Sequence, residues 1–258
     1  MKKFKKFLLN LVCFLIPSKL WRRRLRWGFW RRNVFVIENG CERGIHFWEL
    51  PKVVVSEKDS CIVKIELPQY KSFSLSVHFA DARDSEIVFH KLSQGAWNIE
   101  CHDYGNYVNV GERFTTNGVV NVVLCGNVFR VGCDVGISRE FHLWGDGHSV
   151  FDVNTGKVLN KPVVAKSFAE AMKMDDSGVI SIGDHVWIGE RVSFTKGAQV
   201  PANCVVGIGA VVTKKFTEEN CIIAGVPASI KKTGINWCGD TPLQMDAKLR
   251  EKGKIDKK

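Results

Sequence analysis

The sequence predicts an all-β protein wound into a parallel β-helix, with one looped excursion, a basic helical segment in front and a short tail behind. Three observations carry that prediction. Residues 182–217 repeat every six positions, an earlier block at 119–148 repeats with the same period, and the chain's excess positive charge is confined to the stretch from Met1 to Arg32.

The first segment, residues 1–33, contains MKKFKKFLLNLVCFLIPSKLWRRRLRWGFWRR. Of 37 lysines and arginines in the chain, eleven lie there with no acid, leaving 26 basic against 27 acidic residues afterward. The net charge of +10 therefore belongs to this segment, and nothing else in the chain supports nucleic-acid binding. Its apolar run, Phe7 to Ile16, is interrupted by Asn10 and is half of the roughly 20 residues a spanning helix needs. Pro17 and an arginine cluster follow it, where a secretory signal would have a small-residue cleavage site. Trp21, Trp27 and Trp30 among arginines suit a bilayer interface. The expectation is an amphipathic segment that attaches a cytoplasmic protein peripherally to the anionic inner face of the cell membrane. A basic helix pair packed on its own domain is the plainer alternative.

The nine cysteines are scattered, odd in number and never spaced as CxxC. They fit a reduced protein that uses thiols as small apolar fillers, with no metal site expected. The 258-residue length and 45% hydrophobic content allow a full core.

In residues 34–97, Phe73, Leu75, Val77 and Phe79 alternate as a half-buried strand. This region is expected to be β-rich, capping or extending the helix.

The helix proper is placed at 98–232. Written in sixes, residues 182–217 are IGDHVW, IGERVS, FTKGAQ, VPANCV, VGIGAV and VTKKFT. First positions are Ile182, Ile188, Phe194, Val200, Val206 and Val212; fifth positions are Val186, Val192, Ala198, Cys204, Ala210 and Phe216. Each unit supplies one short strand and one turn, three units close a triangular coil, and coils stack because none buries its face alone. Upstream, the sixes from 119 give first positions Val119, Cys125, Val131, Ile137 and Leu143 and fifth positions Val123, Phe129, Val135, Phe141 and Gly147. A weaker trace runs through Tyr104/Val108 and Val110/Phe114. The interval from Leu143 to Ile182 is not a multiple of six, so the two blocks are out of register. Residues about 149–179 must therefore loop out, and Ser167 to Lys173 could start a short helix there. Residues 233–258 form the tail, ending in a short frayed helix.

The stretch SIGDHVWIGERVSFTKGAQVPANCVVGIGAVVTKK, followed by CIIAGVPASIKK and preceded by DGHSVFD and NTGKVLNKP, resembles the left-handed β-helix hexapeptide acyltransferases. Within them it is similar to bacterial O-acetyltransferases of capsular or other surface polysaccharide. The resemblance implies a left-handed coil, an acetyl-CoA co-substrate, a sugar acceptor and a homotrimer with the donor groove between protomers. In such proteins the excursion wraps over a neighbouring subunit's site.

Acetyl transfer to an alcohol needs a base for the hydroxyl proton and fixed donors for the oxyanion. The resemblance makes His148, in DGH at the mouth of the excursion, the general base. Asp146 then orients the imidazole or the acceptor, or only forms the turn. Trp187, in the same sixth-position phase as His148, is expected near the same edge, lining the acceptor site. His185 and His142 are competing histidines, with His185 better suited to a structural corner. For the coenzyme, the resemblance implies Gly189, Gly207, Ile208 and Gly209 along the pantetheine arm, Thr213 and Lys214 near the nucleotide, and Lys232 at a phosphate. Ser229 stands where relatives often have Arg, which departs from the phosphate-binding pattern. Alternatives are an N-acetyltransferase on an amino sugar, a metal β-helix enzyme, for which no three-histidine spacing is evident, and a non-catalytic β-helix scaffold in glycan assembly.

Overall fold

The computed structural model describes residues 33–252 except 46–48, 51, 57, 59, 161–164, 176 and 177. The membrane-attachment expectation for residues 1–33 falls outside the described residues except for Asn33.

The chain before the six-residue repeat forms β1 (Val34–Glu38), β2 (Cys41–Gly44), β3 (Val53–Val55), β4 (Ile62–Glu66), β5 (Ser74–Phe79), β6 (Glu86–Phe89) and β7 (Ala96–His102). There follow β8 (Tyr107–Val110), β9 (Thr115–Thr116), β10 (Val119–Cys125), β11 (Val128–Val131), β12 (Gly136–Ile137) and β13 (Phe141–Trp144). The excursion carries α1 (Phe168–Ala171), capped by the Ser167 side chain at the backbone N–H of Glu170. The coil resumes with β14 (Val179–Ile182), β15 (Trp187–Ile188), β16 (Ser193–Thr195), β17 (Gln199–Val200), β18 (Val205–Val206) and β19 (Val211–Val212). It closes with β20 (Ile222–Ala224), β21 (Ser229–Lys232) and α2 (Pro242–Glu251).

The strands form three sheets. Sheet I runs β17-β14-β11-β8-β6-β4-β1-β2, sheet II runs β19-β16-β13-β10-β7-β5-β3, and sheet III runs β21-β20-β18-β15-β12-β9. Successive strands visit the sheets in turn and pair in parallel, and among the strands of the described residues only β1–β2 and β20–β21 pair antiparallel. This is the parallel β-helix expected from the hexapeptides. The ladder of sheet I runs unbroken from β1 and that of sheet II from β3, so residues 34–97 extend the coil.

Coil length changes along the axis. Ser181 pairs with Gln199, Trp187 with Val205 and Ser193 with Val211, so each of these coils is three six-residue units long. Upstream, Tyr107 pairs with Val128 and Ala96 with Val119, and both intervals exceed three units. The wider coils are filled by large rings: Phe73, Phe89, Trp97 and Phe114 contact in series, with centroids 5.4, 5.1 and 4.7 Å apart. The three-unit coils close over smaller groups such as Ala198, Cys204 and Ala210, all buried. Each large buried side chain contributes about 1.5–3 kcal/mol.

All twelve first- and fifth-position residues of 182–217 are buried. The upstream block corrects the expectation at its start. Val119 is 43% exposed, and the inward residues of β10 are Val120, Val122 and Leu124. Tyr104 is likewise exposed. The long strand β10 and the turn at Gly126–Asn127 shift the phase by one position before β11, and a slip of one position reverses which side chains point inward.

Candidate functional site at the neck of the excursion

β13 ends with Phe141 and Leu143 buried and His142 and Trp144 exposed. The chain then leaves sheet II through Gly145-Asp146-Gly147-His148. Gly145 donates its N–H to the Val123 carbonyl at 2.9 Å, and a Cβ on it would collide with the buried Asn127 side chain. Asp146 has φ +135°, a conformation that favours glycine. Its carboxylate lies 3.2 Å from the ammonium of Lys196, which also donates to the Asn160 carbonyl at 2.9 Å. Asn160 in turn grips both sides of the neck: Nδ2 donates to the His148 carbonyl and Oδ1 accepts the Val150 N–H, both at 2.8 Å.

The His148 imidazole is exposed and forms no hydrogen bond with the described residues. Its ring is thus unengaged while its main chain is held. Beyond it, Phe151 bridges Val158, and Asp152 Oδ1 accepts from Asn154 N–H, Thr155 N–H and Thr155 Oγ1. Those Thr155 and Asn154 bonds hold the Asp152 carboxyl below its ordinary pKa. Val150, Phe151, Val153 and Leu159 are exposed apolar side chains on this part.

The second half of the excursion returns to its own chain. Ala165, Ala171, Phe168, Met172 and Met174 pack with Tyr107, Val128 and Val179 in a small second core. Arg130 donates to the Met172 and Met174 carbonyls at 2.8 Å each, and Lys215 pairs with Asp175 at 2.7 Å. Residues 165–175 therefore cover sheet I of their own chain.

Trp187 lies elsewhere. It stands in sheet III, paired with Gly136 on one side and Val205 on the other. Its Nε1 donates to Ser138 Oγ at 3.4 Å, and its ring is 6.3 Å from that of Trp237. Trp237 stacks on His185 at 4.6 Å. The expected shared edge of His148 and Trp187 is corrected here: each six-residue unit advances one sheet, so equal phase places residues together only at whole coils. His148 follows sheet II and Trp187 belongs to sheet III.

Both nitrogens of His185 are occupied, Nδ1 at 2.8 Å from Asp134 Oδ2 and Nε2 at 3.0 Å from the Trp237 carbonyl. Burial works to lower its pKa, but the Asp134 carboxylate and the Trp237 carbonyl outweigh it, and the net shift is upward. His185 is thus a corner fastening, and His142 is an exposed outward residue of β13.

Of the donor-site residues, Gly189 and Gly207 follow the paired residues Ile188 and Val206 and lie one coil apart at the corner leaving sheet III. A Cβ on Gly189 would come within 2.7 Å of the Ile208 nitrogen, so coil stacking alone requires glycine there. Ile208 is exposed beside them, and Gly209, at φ +66°, donates to the Glu190 carbonyl. Thr213 and Lys214 are exposed at the next corner, after β19, with the Lys214 ammonium 5.4 Å from the Phe216 ring. Lys232 is exposed on β21. The structure therefore gathers four of these residues at one corner and separates the rest. Among the described residues, no three His, Cys, Asp or Glu side chains converge as a metal site.

No protein-family profile matches the chain. Similar sequences do. Galactoside O-acetyltransferase of Escherichia coli K12 is 30% identical over 146 residues, 55% of this chain and 63% of that protein. Polysialic acid O-acetyltransferase of Escherichia coli O1:K1 / APEC is 34% identical over 134 residues, 52% of this chain and 38% of that protein. The chain is a β-helix similar in sequence to these O-acetyltransferases. It spans less than two thirds of the length of either relative. The solved structure of the polysialic-acid-specific acetyltransferase NeuO covers 85% of this chain and 98% of its own, at 20% identity and a TM-score of 0.42.

Lys196, Asn160, Ser138 and Trp237 were not singled out from the sequence. Lys196 sits mid-unit in FTKGAQ and Trp237 in the tail, where neither period nor motif marks them.

Proposed function

We propose that the chain transfers an acetyl group from acetyl-CoA to a sugar hydroxyl of a capsular or other surface glycan or its precursor. The observation that carries this reading is His148: an imidazole free of hydrogen bonds to the described residues, at the mouth of the excursion, in a chain related to O-acetyltransferases. Its role would be to take the hydroxyl proton as the sugar oxygen attacks the thioester carbonyl. The new C–O bond forms, the C–S bond breaks, and the proton passes to the departing thiolate. Backbone N–H groups would hold the oxyanion, and the corner at Gly189, Gly207, Ile208 and Gly209 would take the pantetheine arm. Asp146, whose carboxylate faces Lys196, acts on His148 through the main chain in this reading.

The reading also includes a homotrimer. His148 and Trp187 project from different sheets, so one substrate would meet both by lying between two copies, each giving one side chain. Identical copies packed about a threefold axis would supply that geometry. Residues 1–32 would hold the assembly at an anionic membrane surface, on the strength of their eleven cations and three tryptophans.

Mass spectrometry of the surface glycan from cells with and without the gene tests the function: one acetyl per repeat is expected to disappear with the gene. An unchanged glycan would refute the acceptor class. Deleting residues 1–32 is expected to move the protein from the membrane to the soluble fraction.

A further inference from the structure

We infer that Lys196 is a positioning residue for His148, an inference that rests on the reading of His148 as the base. Lys196 follows β16, whose Thr195 pairs with Trp144 of β13, so the lysine sits one coil above Gly145 at the root of the excursion. Its side chain is 17% exposed, and its ammonium meets one group on each strand of the neck, outgoing and returning. One is the Asp146 carboxylate, just before His148 in the chain, at 3.2 Å. The other is the carbonyl of Asn160, at 2.9 Å, whose side chain holds the His148 carbonyl and the Val150 N–H.

The chain needs such a fastening here. Asp146 holds φ +135° between two glycines. A non-glycine residue in a sparsely populated backbone region persists only where its surroundings over-determine it. The glycines on either side impose no conformation of their own. The Asp146 oxygen that faces inward is buried and accepts no hydrogen bond, so its charge partner is the Lys196 ammonium 3.2 Å away. The ammonium both neutralises it and ties the outgoing strand, through Asp146, to the returning strand, through Asn160. The neck is thereby closed into a ring of contacts, and the His148 ring stands on it without a hydrogen-bond partner among the described residues. Lys196 belongs to the next coil, so the coil stack itself sets where the imidazole starts.

The test uses the full chain, with imidazole NMR signals of His148 identified by their loss in His148→Gln. Acetyl-CoA is the donor, and methyl β-galactopyranoside and a sialic acid oligomer are the acceptors. Lys196→Met keeps the stem and removes the charge. It is expected to move the His148 signals and to lower kcat by about tenfold to a hundredfold, the scale of a small misplacement of a reacting group, with KM for acetyl-CoA little changed. Lys196→Arg is expected to restore both readouts. A purely structural lysine would lower the melting temperature and the active fraction together, leaving the His148 signals of the folded protein in place. Unmoved His148 signals in Lys196→Met would overturn the inference alone. Full transfer by His148→Gln would overturn the base assignment and the inference with it.

Discussion

His185 and Trp237 stack face to face, with ring centroids 4.6 Å apart and planes 13° from parallel, and each ring donates to the other's main-chain carbonyl. Because Nε2–H of His185 must donate to a carbonyl, Nδ1 faces Asp134 either as an acceptor or, once protonated, as a charged donor. Protonation therefore strengthens the contact, in keeping with the raised pKa. A raised pKa stabilises the folded protein fully below the ordinary value of 6.5 and loses that contribution as pH rises through the folded value. The melting-temperature difference between wild type and His185→Gln is thus expected to be larger at pH 5.5 than at pH 8.5. A difference that grows with pH would contradict the assignment.

His148→Gln is expected to lower acetyl transfer by roughly 10²–10⁴, the range for loss of a general base, while melting temperature stays near wild type because the ring has no hydrogen bond to the described residues. Steady-state rates with acetyl-CoA and thermal denaturation measure the two sides of that expectation.

Gly145→Ala puts a methyl group into the buried Asn127 side chain. Overpacking of this kind costs about 1–3 kcal/mol. Denaturant unfolding should show the loss, and a neutral result would mean that the neck relaxes freely around Asn127.

Arg130→Ala removes the two bonds to the Met172 and Met174 carbonyls. Hydrogen bonds to charged groups contribute about 1.5–3 kcal/mol each, and the small second core under α1 has few other ties. Hydrogen exchange is expected to accelerate in residues 165–175 with the coil strands still protected. Uniform acceleration along the chain would show instead that Arg130 supports the coil.

The sequence revealed the coil best where its spacing was strict. From Ile182 to Phe216 every coil takes three six-residue units, so first and fifth positions point inward as the count predicts. The longer coils upstream hide the same architecture. There Val119 keeps the six-residue count yet faces outward, because the alternation of a longer strand sets its direction. His148 and Trp187 show a second limit. Their shared position within a unit says that both face outward; which sheet each leaves depends on counting units. The neck and the aromatic tail contact were illegible for another reason. Lys196 meets Asn160, and Trp237 meets His185, across long stretches of intervening chain. Only the folded stack brings them together.

The two reversed strands bear on what happens when many copies share a cell. A parallel ladder is an open template at each end, and another chain could add its own strand there. Sheet I finishes instead on β2, with Glu42 and Arg43, and sheet III on β21, with Lys231 and Lys232. Both run against the ladder and carry charge. Lys232, which the resemblance puts at a coenzyme phosphate, thus also lies where a second molecule would have to lengthen sheet III. With one such strand at each end of the stack, growth into fibres along its axis is opposed at those two edges.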